Sequence, residues 1–115
     1  MKYGFGVDLG GTTVKIAYFD QAGTLLHKWE IPTRTENNGE YILGDIAAAI
    51  NDYLEENRIH REALLGIGIG VPGPVDRNGI VNECENLGWG VFHVADALTA
   101  LTGLPVKAGN DATMA

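Results

Sequence analysis

At 115 residues, with 45% apolar and 20% charged side chains, the chain has the make-up of one globular domain with a hydrophobic core, not of a disordered or fibrous polypeptide. Its formal net charge of −7 repels phosphate backbones and argues against nucleic acid as a partner; an anionic ligand must be held by local N–H donors or by a metal ion. A single cysteine, Cys84, allows no internal disulfide, and the start carries no long apolar run, so a reducing, cytoplasmic setting without signal peptide or membrane span is expected.

In chain order, Tyr3–Val7 alternates apolar residues with glycine and reads as a strand. Gly10-Gly11-Thr12-Thr13 is a turn, Val14–Asp20 a second strand, Gln21-Ala22-Gly23 a hairpin turn, and Thr24–Ile31 a third strand stopped at Pro32. The opening is therefore an antiparallel meander. Residues 33–40 are polar and loop-like. Ile42, Ile46, Ala49, Ile50 and Tyr53 then recur at helical spacing, which predicts a helix over Gly39–Glu56.

Leu64–Val71 alternates again, with Ile67, Ile69 and Val71 on one face. Its glycines on the other face leave room for a helix or a ligand to approach the backbone. Pro72-Gly73-Pro74 ends that strand, and Gly79-Ile80-Val81 is a short one. Val94, Leu98 and Leu101 mark a helix stopped by Gly103 and Pro105, and Pro105–Ala108 is the last strand. Asn110-Asp111 reads as the start of a further helix. Helices between the later strands imply parallel crossovers, so the sheet is expected to be mixed, five-stranded and flanked by helices.

Asp8-Leu9-Gly10-Gly11-Thr12-Thr13 has the chemistry of a phosphate turn. Two glycines let the backbone bend tightly and expose N–H groups, the threonine hydroxyls add donors, and Asp8 can hold a Mg²⁺ ion through water. The same residues also fit an ordinary hairpin turn, and both readings stand. The dinucleotide fingerprint is excluded, because no third glycine is correctly spaced and no helix follows.

Asp111 follows a strand, where ligands gather in open α/β sheets. Its carboxylate can accept a proton from an attacking hydroxyl, and Asn110 beside it can bond sugar hydroxyls. Plain helix capping is the other reading. Glu85 and Asn86 offer hydrogen-bond partners, Trp89 fits a core anchor, and His27, His60 and His93 lack metal-ligand spacing.

Taken together, Asp8–Thr13, Gly66–Asp76, Gly79-Ile80-Val81, Asn86-Leu87-Gly88-Trp89 and Leu104-Pro105-Val106 leading to Asn110-Asp111-Ala112 resemble the ROK family of sugar kinases and repressors. The resemblance runs across the whole chain and is nearest to the bacterial glucokinase branch. It implies an actin/hexokinase-like (ribonuclease H-like) α/β lobe, with residues 1–115 as the N-terminal lobe of a two-lobed sugar kinase.

It further implies that Asp8, Gly10, Gly11, Thr12 and Thr13 face the phosphates of ATP, and that Asp8 holds Mg²⁺ through water. Asp111 becomes the base acting on the sugar hydroxyl, at C6 for glucose. Gly73, Glu85, Asn86, Asn110 and Asp111 become sugar contacts. The adenosine site, further sugar ligands and a structural zinc cluster are expected in a C-terminal lobe absent from the chain. Thr113 stands where the family usually has a second Asn, which weakens the local match. A repressor of this family would carry a DNA-binding helix-turn-helix before the first strand, and the start at Tyr3 argues against that. Sugar and nucleotide are the expected partners. Self-association through an uncovered apolar surface is also allowed.

Overall fold

The computed structural model describes residues 2–73, 75–81 and 92–110. Strands β1 (Tyr3–Leu9), β2 (Thr13–Asp20) and β3 (Leu25–Pro32) lead to one helical turn, α1 (Glu36–Gly39), and the long helix α2 (Ile42–Glu56). Then come β4 (Leu64–Val71), the short strands β5 (Ile80–Val81) and β6 (Phe92–His93), helix α3 (Val94–Thr102) and strand β7 (Val106–Asn110). The five long strands form one sheet in the order β3-β2-β1-β4-β7. Pairs β1–β2 and β2–β3 are antiparallel, whereas β1–β4 and β4–β7 are parallel. The mixed sheet expected from the sequence is thus present. Tight turns suffice for the meander; the parallel pairs need longer connections, which α2 and α3 occupy.

The period of two in the strands separates the sheet into unlike faces. Phe5, Val7 and Leu9 of β1, Val14, Ile16 and Tyr18 of β2, and Ile67, Ile69 and Val71 of β4 are all buried. They share one core with Ile42, Ile46, Ile50 and Leu54 of α2 and with Val94 and Leu98 of α3. Burial of each such side chain stabilises the fold by about 1.5–3 kcal/mol relative to exposure. Tyr53 of α2 extends this face with an aromatic cluster, stacking on Trp29 at 5.0 Å and on His27 at 5.2 Å. Burial raises the Tyr53 hydroxyl above its usual pKa. It does the same for Tyr18, where the neighbouring Tyr3 and Tyr53 add to the effect.

The opposite face is nearly bare. Register places Ala17, Gly6, Gly68 and Lys107 in one row across the sheet, and Glu30, Lys15, Asp8, Gly70 and Gly109 in the next. Gly4 and Gly6 make room for the Phe19 ring, which a Cβ at either would meet at 3.4 and 3.2 Å. Gly66 has φ of 146°, and a Cβ there would lie 2.6 Å from the Pro105 carbonyl oxygen. That approach lets Ile67 N–H donate to Pro105 O at 2.9 Å, where β7 joins the sheet. The room offered by this glycine is therefore taken by the incoming strand.

Several boundaries differ from expectation. The strand pairing of β1 runs through Asp8 to Leu9. The helix begins at Ile42, three residues late; Gly39, where it was expected to start, has a φ of 73° and closes the separate turn α1, in which Asn37 and Asn38 also adopt left-handed angles. The last strand extends to Asn110, which pairs with Val71. Asn110 is thus a strand residue and not the start of a helix; pairing with a buried parallel neighbour outweighs its preference for caps. Strand β6, partner of β5, had no sequence counterpart. Helix α3 ends as expected at Gly103, whose φ of 73° allows its N–H to reach Thr99 O at 2.8 Å. Arg61 Nε donates to Thr102 O at 2.8 Å and satisfies another terminal carbonyl.

Candidate functional site

The parallel strands β1, β4 and β7 all end at the same edge of the sheet. Asp8 pairs with Gly70, Gly70 with Gly109, and Val71 with Asn110. Three strands that lie side by side at the usual spacing place Asp8 and Gly109 about 10 Å apart. The Gly10–Thr12 bend leaves from β1 and Pro72-Gly73 from β4 at this edge. Crevices beyond the carboxyl ends of parallel strands are the usual ligand sites of open α/β sheets.

The bend itself is tightly specified. Gly10 N–H donates to Thr13 O at 3.0 Å. A Cβ on Gly10 would sit 2.8 Å from that same oxygen, so only glycine fits without a shift of backbone. The bend is also tied from outside. Thr33 N–H donates to Thr12 O at 2.9 Å, and Thr33 Oγ1 donates to Gly10 O at 2.7 Å. Among the described residues, the N–H groups of Gly11 and Thr12 donate to nothing. Gly11 and Thr12 are exposed, so these donors face solvent, as an anion-binding bend requires.

Of the residues singled out in the sequence, Asp8, Gly10, Gly11, Thr12, Thr13, Gly73 and Asn110 come to this one edge. Asp8 is exposed, Thr13 half-buried and Gly73 buried. Glu85, Asn86, Trp89, Cys84 and Asp111 lie outside the described residues. Two nearby residues escaped the sequence reading. Lys15 stands directly across from Asp8 on the bare face; the hairpin register around the Gly-Gly bend could have revealed it. Thr33 reaches the bend from 23 residues beyond Gly10, and no local pattern announces such a contact.

No group of three or more His, Cys, Asp or Glu side chains that could hold a metal occurs among the described residues. The lone Asp8 still fits Mg²⁺, which is commonly bound by one or two carboxylates plus substrate phosphates and water. His27, His60 and His93 are exposed and dispersed, as expected. A cleft of about 490 Å³ with Arg58, His60 and Arg61 in its lining lies at the opposite end of the sheet, before β4 begins. Beyond Thr33, Arg34 grips Asp45 of α2 with Nε to Oδ2 at 2.7 Å and Nη2 to Oδ1 at 2.6 Å. That bond holds the Asp45 carboxyl below the usual carboxylate range against the opposing effect of burial. No helix among the described residues is long and apolar enough to cross a membrane.

The model of the ROK family matches residues 4–115. The glucokinase of Halalkalibacterium halodurans is 40% identical over 111 residues, which cover 96% of this chain and 34% of that protein. The putative xylose repressor of a Caldicellulosiruptor species is 28% identical over 108 residues, 93% of this chain and 27% of that protein. The crystal structure of a ROK family glucokinase from Streptomyces griseus in complex with glucose and AMPPNP is similar with a TM-score of 0.80 at 31% identity, covering 96% of this chain and 33% of that one. The chain therefore spans about a third of the length of these relatives. The family match extends over almost every residue, and the five-stranded mixed sheet has the architecture of the actin/hexokinase-like lobe: the chain belongs to the ROK family.

Proposed function

We propose that this chain is the phosphate- and sugar-facing lobe of an ATP-dependent hexose kinase, with glucose as the substrate and glucose 6-phosphate as the product. One observation carries the reading. A bend with two unspent N–H donors, the Asp8 carboxylate and the strand leading to Asp111 all meet at the carboxyl edge of three parallel strands. The likeness to a glucokinase crystallised with glucose and AMPPNP supports ATP and a hexose as the ligand pair.

In this reading the donors of Gly11 and Thr12 receive phosphate oxygens, and Lys15 adds positive charge beside Asp8. Asp8 would hold Mg²⁺ through water, and the ion would neutralise charge on the phosphates. Asp111 takes the proton from the sugar hydroxyl; the oxygen attacks the γ-phosphorus, and the bond to the ADP oxygen breaks. Gly73, Glu85, Asn86 and Asn110 hold the sugar. Positioning and charge stabilisation provide most of the acceleration in such transfers. A second lobe closes over the site, excludes water and contributes the adenosine site, the remaining sugar ligands and a structural zinc cluster.

The test is coupled turnover with ATP and a panel of hexoses, in a protein that joins this lobe to its second one. Asp111→Ala should lower kcat by about 10²–10⁴-fold, the usual contribution of a general base, with a smaller effect on sugar KM. Wild-type-like turnover removes Asp111 from that role. The similarity to a putative xylose repressor favours a second reading, a sugar-responsive regulator without catalysis. Sugar binding with no phosphoryl transfer in the same assay selects it.

A further inference from the structure

We infer that Thr33 is a positioning residue that aims the Gly11 N–H, a phosphate-binding donor of the Gly10–Thr13 bend. This rests on the phosphate role proposed for that bend. Thr33 follows the last residue of β3 and makes two bonds to the bend, with its N–H on Thr12 O and its hydroxyl on Gly10 O. The first prolongs the β2–β3 ladder, in which Thr13 pairs with Pro32. The second is specific to the side chain, because only a hydroxyl at this place can take Gly10 O.

The geometry of the peptide unit gives that bond its consequence. In a trans peptide the C=O of one residue and the N–H of the next point in opposite directions, and the chain has no cis peptide bond among the described residues. Gly10 O turned toward Thr33 therefore turns Gly11 N–H away from Thr33 and out of the bend. The bond from Gly10 N–H to Thr13 O closes the bend but engages neither polar group of the Gly10–Gly11 peptide unit, and the bond from Thr33 is the one that holds this peptide plane. The tether is itself anchored. Arg34, the next residue, is fixed by its two bonds to Asp45 and lies 4.5 Å from the Tyr41 ring centre. Thr33 thus couples the bend to the start of α2.

Amide chemical shifts of a protein that joins this lobe to its second one, titrated with Mg·ATP and separately with inorganic tripolyphosphate, test the assignment. In the wild type, the Gly11 and Thr12 amides should move with both ligands. Thr33→Val preserves branching and removes the hydroxyl, and Thr33→Ala serves the same purpose if the valine variant does not fold. Either should weaken binding by about 3–10-fold, the loss of one orienting hydrogen bond, and should alter the Gly11 amide before ligand is added. Thr33→Ser should stay within about twofold of wild type by the same measure, because its hydroxyl can remake the bond. A structural role alone predicts a lower melting temperature in Thr33→Val with unchanged affinity, and that result overturns the proposal. Equal weakening in Thr33→Ser also overturns it. If the Gly11 and Thr12 amides of the wild type ignore both ligands, the bend is no phosphate site and the proposal falls with that reading.

Discussion

The two faces of the sheet are made from the same strands and do opposite things. The face under α2 and α3 is filled with Phe5, Val7, Leu9, Ile16 and Ile69, all buried in one core. The other carries Gly4, Gly6, Gly68, Gly70 and Gly109, with Asp8 and Lys15 at the edge where the parallel strands end. One face contributes stability through apolar area. The other keeps side chains away, so that backbone donors and a few charges remain available at the edge. A single alternating sequence produces both, because a strand turns successive residues to opposite sides.

Perturbing one face at a time sharpens this contrast. Ile50 is fully buried beneath the sheet, so Ile50→Ala should cost about 2–5 kcal/mol in denaturant unfolding, the range for truncating a buried isoleucine. A loss below about 1 kcal/mol would show that α2 is not packed as described. On the bare face, the cost should depend on what meets the added methyl. Gly66→Ala sets a Cβ against the fixed Pro105 carbonyl at a φ of 146° and should cost about 1–3 kcal/mol. Gly6→Ala meets only the edge of the Phe19 ring at 3.2 Å. Phe19 is half-buried and can swing aside, so the net change should lie within about 1 kcal/mol. Equal costs at Gly66 and Gly6 would break the distinction between backbone and side-chain neighbours.

The smallest effect belongs to the rim of the packed face and depends on pH. Tyr53 has its pKa raised by burial, above an unfolded value near 10. The stability linked to the neutral phenol is therefore fully present below pH ~10 and is lost as pH rises through the folded value. Tyr53→Phe should flatten the fall in unfolding free energy above pH ~10, with Tyr18 still contributing. An unchanged slope would assign the alkaline sensitivity elsewhere. On the acid side Asp45, held low by Arg34, contributes stability that is present above its unfolded pKa. That contribution is lost as pH falls through the folded value.

Much of the candidate site was legible because it is local. Gly10-Gly11 between two alternating runs specifies a bend, and its threonines and Asp8 lie within a few residues of it. What escaped was non-local or hidden in competing preferences. Asn110 reads as a cap by residue type, yet its pairing with Val71 makes it strand. The late start of α2 reflects left-handed geometry at Gly39 and the two asparagines before it, which these residue types tolerate but do not dictate.

By itself the sequence determined the order of the five long strands and the two main helices, the unlike faces of β1, β2 and β4, and the family, because alternation, helical periodicity and glycine placement are properties of neighbouring residues. Only the tertiary structure decided that β4 inserts between β1 and β7, and that Asp8, Gly70 and Gly109 form one row. Only it decided that Thr33 closes on the Gly10–Thr13 bend. Those arrangements join residues far apart in the chain. They are selected by the burial of a shared core and the pairing of backbone groups across strands, energies that no local stretch of residues contains.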